Sequence, residues 1–300
     1  MNLDRKSRLA NTIAQIKQRQ RMLDYAGIKR NRLRPLPKQL HPDGVKLHYF
    51  QLLKPMLKEM ERLVSNAILP KLEQWEKEAG TWKMDSAGSE ANSLVDAASR
   101  DFFHEFSNQR LAKLSDSIAK ATSDFQREQI YKQIRSQVGV DLFLAEPWLP
   151  HEMEAFTAKN VALIKSVPQR FFSEIESGVV NSVQKGQRPS AIATEFEQRF
   201  GVAESHALLI AKDQVGKFFG QLNVKRQQEV GIEKGFWQSM DDEKVRPSHT
   251  EAEGRYGEGT EGFALSEPPT VDDEEVLPGE PILCRCQTMP DFHGVVDALS

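Results

Sequence analysis

Cysteine is almost missing from this chain, with two residues among 300. Two cannot make a disulfide framework, and Cys284 and Cys286 form an i,i+2 pair that is poorly placed even to bond to itself. The expectation is a protein made in a reducing compartment. Long apolar runs are missing too: none approaches the ~20 residues of a membrane span, so no membrane partner is expected. The start, "MNLDRKSRLA", has basic residues with no apolar stretch behind them, unlike a secretory signal. There is no Walker A loop, no G-x-G-x-x-G and no H-E-x-x-H. Internal repeats, heptad runs and long low-complexity tracts are likewise lacking. The sequence offers no motif for nucleotide hydrolysis, dinucleotide binding or zincin-type proteolysis.

What is present is a polarity of charge. The formal net charge is only −3. Yet Arg5, Lys6, Arg8, Lys17, Arg19, Arg21, Lys29, Arg30, Arg32, Arg34 and Lys38 stand before residue 40, opposed by Asp4 and Asp24. After residue 240 acids dominate, among them the run Asp272 to Glu275. A basic arm on a body that is not basic suggests a polyanion or an acidic protein as partner.

Residues 1–45 read as that arm and a linker, because "RNRLRPLPKQLHPDG" holds three prolines and a glycine. From Lys46 the pattern is helical, with Leu53, Leu57, Met60, Val64 and Ile68 on one stripe. Pro55 suits a first turn and Pro70 a kink or an end. "EAGTWKMDSAGSEAN" reads as a connection, and a second stripe runs through Leu111, Leu114, Ile118, Ala121 and Phe125. The region 46–150 carries no motif of its own, and 138–152 reads as a boundary. Further stripes follow at Ile164, Val167, Phe171, Ile175, Val179 and Val183, then at Ala207, Ala211, Val215, Phe218 and Leu222, with Gly186 and Gly201 as expected stops. After Gly235 the texture changes to short strands, "FWQSM" and "ILCRCQTM", joined by long polar loops. The fold class expected is mainly α-helical N-terminal and middle regions with a small α+β C-terminal module of short strands and long loops. Helices fill 155–230 and the α+β module 235–300.

The chemistry-bearing residues gather in that module. On a strand, Cys284 and Cys286 would face one way and Arg285 the other. Upstream lie Asp242, Arg246 and His249. Thiolates and imidazole are zinc ligands, but C-x-C with one distant histidine is not a common zinc spacing. Two buried thiols beside a hydrogen-bonded His249 is the simpler expectation: no cofactor, with zinc on His249, Cys284 and Cys286 as the alternative. Cys, His and Asp can also serve as nucleophile, base and orienter, which keeps open an enzyme or toxin-like effector. The "EAE" at 251–253 reads as a solvated loop.

Taken together, these pieces resemble a known family. Ala211 to Gln214, Phe236–Trp237, Asp242 with Val245, Arg246 and His249, the Pro278–Gly279 turn, and Cys284–Arg285–Cys286 follow one another as in the head-morphogenesis proteins similar to the F protein of phage Mu. The resemblance covers roughly 155–290, so 151–300 is expected to be one such domain. It implies a non-enzymatic minor head protein of a tailed phage or prophage. Such a protein would sit inside the capsid at the portal vertex and in the host cytoplasm during assembly. Its implied partners are the portal protein, the major capsid or scaffold protein, and non-specific double-stranded DNA held by the basic arm. It also makes Asp242, Arg246, His249, Pro278, Gly279 and the Cys-Arg-Cys set structural residues of a small loop-rich fold.

Overall fold

The first helical stripe folds as its periodicity demands. In a computed structural model of the chain, α1 (Asp43–Leu63) buries Leu53, Leu57 and Met60 on one face. Residues 36–79, 84–138, 146–185 and 189–293 are described, with scattered helical positions between 7 and 21. Pro55 lies well inside α1 rather than in its first turn, because the helix already begins at Asp43. Pro70 does not end the run. Proline has no N–H for the carbonyl four residues back and crowds it, and a π-helical turn at Val64–Ile68 precedes it, with Leu69 donating to the Val64 carbonyl. The chain then continues as α2 (Leu69–Ala79).

Helix α3 (Met84–Glu105) absorbs most of the stretch read as a connection. It is followed by α4 (Asn108–Val138), α5 (Leu149–Gln184) and α6 (Pro189–Glu229). Gly201 does not interrupt α6, which runs unbroken for 41 residues. Glycine costs only about 1 kcal/mol in a helix interior, and Phe196, Ala203 and Ala207 on either side of it keep the helix buried along one face. Pro189 does start α6, as expected; Gly186, the 139–145 stretch and the side chain of Val183 lie outside the described residues. Among the described residues no helix is long and apolar enough to cross a membrane.

Beyond α6 the fold changes to short strands. β1 (Lys234–Gln238) is the middle of a three-stranded antiparallel sheet, flanked by β2 (Phe263–Ala264) and β5 (Gln287–Pro290). Gly235 lets β5 approach: a Cβ there would meet the Thr288 methyl at 2.6 Å. α7 (Pro247–Tyr256) packs beside β1. β3 (Thr270–Val271) and β4 (Glu274–Glu275) form a separate hairpin. Long loops were expected throughout, but this hairpin is tight, because Asp272 and Asp273 both adopt positive φ and so make the primed turn that matches strand twist. The chain is thus mainly helical with a small C-terminal region of short antiparallel strands.

Two compact units emerge, each assembled from separated segments. One comprises Lys46–Ile118 and Met153–Lys212. Its interior is aliphatic and aromatic. Phe102 stacks on Phe106 and meets Phe172 edge-on at centroid distances of 4.9 and 5.5 Å. The hydroxyl of the buried Tyr49 donates to Asn160 at 2.8 Å.

The other unit comprises Met1–Val45, Ala119–Glu152 and Asp213–Ser300, and its interior is partly polar. Asn223 on α6 accepts from Gln39, Gln126 and Gln227 at 2.9, 3.0 and 3.1 Å. Asn223 and Gln227 both donate to the Thr288 carbonyl at 2.8 Å, which ties β5 to α6. One turn along α6, the guanidinium of Arg226 is fully buried. All five of its N–H groups are met, by Glu146, Gln126, and the carbonyl and hydroxyl of Ser123.

Burial alone would raise the Glu146 pKa, but hydrogen bonds from Arg226 and Arg127 outweigh it and hold the carboxyl below its ordinary 4.5. Such a group contributes stability above its unfolded-state value and loses it as pH falls through the lowered folded value. Arg226→Ala is therefore expected to cost about 3–5 kcal/mol in a urea titration, the usual cost of breaking a buried pair. The same variant should show a flatter loss of stability below about pH 4.5, measured by repeating the titration in acid.

Candidate functional site

The site grows from the tripeptide Cys284–Arg285–Cys286 and the first turn of α7. Residues before a proline avoid helical backbone, and Arg246 is extended (φ −67°, ψ 143°) so that Pro247 can open the helix. His249 is thereby fixed in the first turn, where its side chain is 3% exposed. Its ring stands edge-on to Trp237 of β1, with centroids 5.5 Å apart.

The segment expected to carry both cysteines on a strand is irregular instead, and β5 begins one residue after Cys286. The reason is a turn. The Cys284 N–H donates to the Pro281 carbonyl at 3.0 Å, and Leu283 is forced to φ 53°. Asp213 of α6 accepts the Leu283 N–H at 2.8 Å, and Arg246 donates to the Ile282 carbonyl at 2.7 Å. Pro278 and Gly279 precede this turn; Gly279 has φ 95°, and a Cβ on it would lie 3.3 Å from the Cys286 carbonyl. The turn still brings both sulfurs together. Cys284 Sγ and Cys286 Sγ each lie 3.4 Å from His249 Nδ1, and the three ligand-capable atoms fall within 4.8 Å of one another.

The hydrogen bond between the two thiols lowers the Cys284 pKa to about 6 and raises that of Cys286, so the pair shares its protons unequally. Arg285 points elsewhere. It grips Asp242 in a bidentate pair, and that interaction first of all draws the Asp242 pKa down. Lys244 N–H donates to the same carboxylate at 3.0 Å and fixes its direction. The carboxylate that approaches the imidazole is Asp272 in the β3–β4 turn, 4.0 Å from Nε2. Asp242, His249 and cysteine are therefore not assembled as orienter, base and nucleophile: Asp242 is engaged by Arg285. The "EAE" glutamates divide, Glu251 being exposed while Glu253 accepts from the Ser239 N–H at 3.1 Å and from its hydroxyl.

Of the basic arm, Lys17, Arg21 and Lys38 are described, Lys38 lying 3.6 Å from Asp241 with both side chains exposed. Arg5, Lys6, Arg8, Arg19, Lys29, Arg30, Arg32 and Arg34 lie outside the described residues. Sequence reasoning missed Asp272, whose signal was the Asp-Asp pair of a primed turn. It also missed the part Asp213 plays, signalled only by an acid among the apolar positions of α6.

Residues 173–289 match the family described as Phage Mu protein F like protein. That span runs from within α5 to β5 and includes every site residue from Asp213 to Cys286. This region belongs to the Mu F-like family. A protein of Haemophilus influenzae (strain ATCC 51907 / DSM 11121 / KW20 / Rd), described as uncharacterized, is 28% identical over 252 residues, covering 81% of this chain and 52% of that protein. The chain thus spans about half the length of that relative. No solved structure matches the chain.

The Mu F-like turn gives a clean test of its own geometry. Gly279→Ala is expected to lose about 1–2 kcal/mol, the cost of a Cβ in left-handed backbone. Gly254→Ala, at an exposed position of α7 with nothing within 4 Å of the new Cβ, should gain about 0.4–1 kcal/mol. Paired urea titrations measure both.

Proposed function

We propose that this chain is a minor head protein of a tailed phage or prophage, bound to the portal protein at the vertex inside the capsid. The observation that carries the reading is the Mu F-like match over 173–289, which supports a role in head morphogenesis. The composition of the remainder is compatible with a second task. Eleven lysines and arginines from Arg5 to Lys38 face only one acid, Asp24, in the same stretch. Each phosphate such residues neutralise releases counterions, giving affinity without base reading. In this proposal the Mu F-like region engages portal, and scaffold or major capsid protein during assembly in the host cytoplasm, while the basic arm holds double-stranded DNA. The role is structural, and it needs no cofactor for catalysis.

The experiment is co-expression of the full chain with the portal protein of the same genome, followed by affinity purification and a DNA retardation assay. A stable portal complex is expected, together with retardation of unrelated duplexes at low salt. Exchanging Arg30, Arg32, Arg34 and Lys38 for glutamine should leave the complex intact. It should lower the slope of log affinity against log salt by about 0.9 for each phosphate that is no longer neutralised. Absence of a portal complex sinks the head-protein reading. Absence of retardation by the unaltered chain removes the DNA part alone.

A further inference from the structure

We propose that His249, Cys284 and Cys286 form a zinc site that cross-links the first turn of α7 to the Cys-Arg-Cys turn. The inference goes beyond the head-protein reading and does not depend on it. A tetrahedral zinc ion has bonds of about 2.3 Å to thiolate sulfur and 2.0–2.1 Å to imidazole nitrogen, which sets sulfur–nitrogen edges near ~3.5 Å. Both sulfurs lie 3.4 Å from Nδ1. A neutral imidazole nitrogen has one lone pair or one proton to offer, so a single Nδ1 cannot serve two thiols equally. A cation placed among the three can accept all of them.

The far side of the ring points the same way. Among the described residues, buried Nε2 has no hydrogen-bond partner. If Nδ1 binds metal, the proton must sit on Nε2, and Asp272 Oδ2 lies 4.0 Å from it. A ligating histidine whose other nitrogen faces a carboxylate is the usual outer-shell arrangement of protein zinc sites. Ser248 donates to the same Asp272 oxygen at 3.0 Å and holds it near the ring. Two thiolates and an imidazole select zinc over magnesium or calcium, which prefer oxygen. On binding, each thiol gives its proton to solvent and its sulfur lone pair to the ion, with no change of oxidation state. Three protein donors leave the fourth tetrahedral position to water. All three ligand residues are buried, and both cysteines belong to a cluster with Trp237, Phe263 and Val271. The ion would therefore act as a closure of that small core.

The test uses the full chain expressed in zinc-supplemented medium, desalted, and assayed for metal by mass spectrometry. One zinc per chain is expected, and cobalt(II) exchanged for it should show thiolate-to-metal charge transfer and tetrahedral d–d bands. Cys284→Ser and Cys286→Ser should each abolish the stoichiometric metal. Because those variants can fail to fold, Asp272→Asn provides the second arm. Asparagine tolerates the positive φ of that position, so the hairpin is kept. Zinc affinity, read by competition with a chromophoric chelator, should fall roughly 10-fold while circular dichroism is unchanged. Metal-free protein that gives no cobalt–thiolate band overturns the proposal. A thiol count in denaturant then identifies the replacement: two free thiols mean a hydrogen-bonded pair, and none means a disulfide.

Discussion

A guanidinium with no exposed surface is the constraint around which the polar-cored unit is organised. Arg226 cannot be neutralised by losing its proton, since arginine stays charged in proteins, so every N–H must find an acceptor inside. Those acceptors come from two stretches far from Arg226 in sequence, Ser123 and Gln126 on α4 and Glu146 before α5, while α6 carries the charge itself. Removing any one of them leaves part of a buried charge without compensation, which costs more than the pairing contributes when whole. The network therefore specifies one arrangement of these segments more strongly than it stabilises them.

The neighbouring amides extend that specification to the sheet. Asn223 lies one turn before Gln227 on α6, and together they hold the carbonyl of Thr288 on β5. β5 begins one residue after Cys286, and Asp213 on the same helix accepts the N–H of Leu283. One helix thus fixes both ends of the Cys-Arg-Cys turn. The convergence of sulfurs and imidazole then follows from backbone anchoring rather than from the thiols themselves. Arg246 and Arg285 add two more ties, one to the Ile282 carbonyl and one to Asp242, so arginine and acid do most of the positioning in a region with few regular strands.

Much of the helical part was legible in the sequence, because apolar residues at helical spacing state which face is buried. The stripes through Leu53, Met60 and Ile68 and through Ala207, Val215 and Leu222 are buried at every one of these positions. α4 was harder. Its Leu114, Ala121 and Phe125 are only half-buried, and the fully enclosed positions include Thr122, Gln126 and Gln133. A hydrophobic pattern cannot announce a polar interior. Gly201 and Pro70 misled for a related reason: local propensity weighs about 1 kcal/mol for glycine, and packing along a long helix overrides it. At the site, the residue types were visible but their meeting was not. It depends on a left-handed Leu283 and on an acid 70 residues away. Asp272 escaped notice because a turn residue looks solvated until the hairpin folds over a histidine.

The interleaving of the two units has a consequence for the chain while it is being made. Gln39 finds its partner Asn223 across 184 residues of sequence. At a synthesis rate of about 5–20 residues per second, the first leaves the ribosome roughly 10–40 seconds before the second exists. The segment Lys46–Lys212 that contains the other unit emerges in that interval with most of its own packing partners already present. Vectorial synthesis therefore favours an order in which the aromatic unit condenses first, and the polar-cored unit closes only when β5 has arrived to receive the amides of α6.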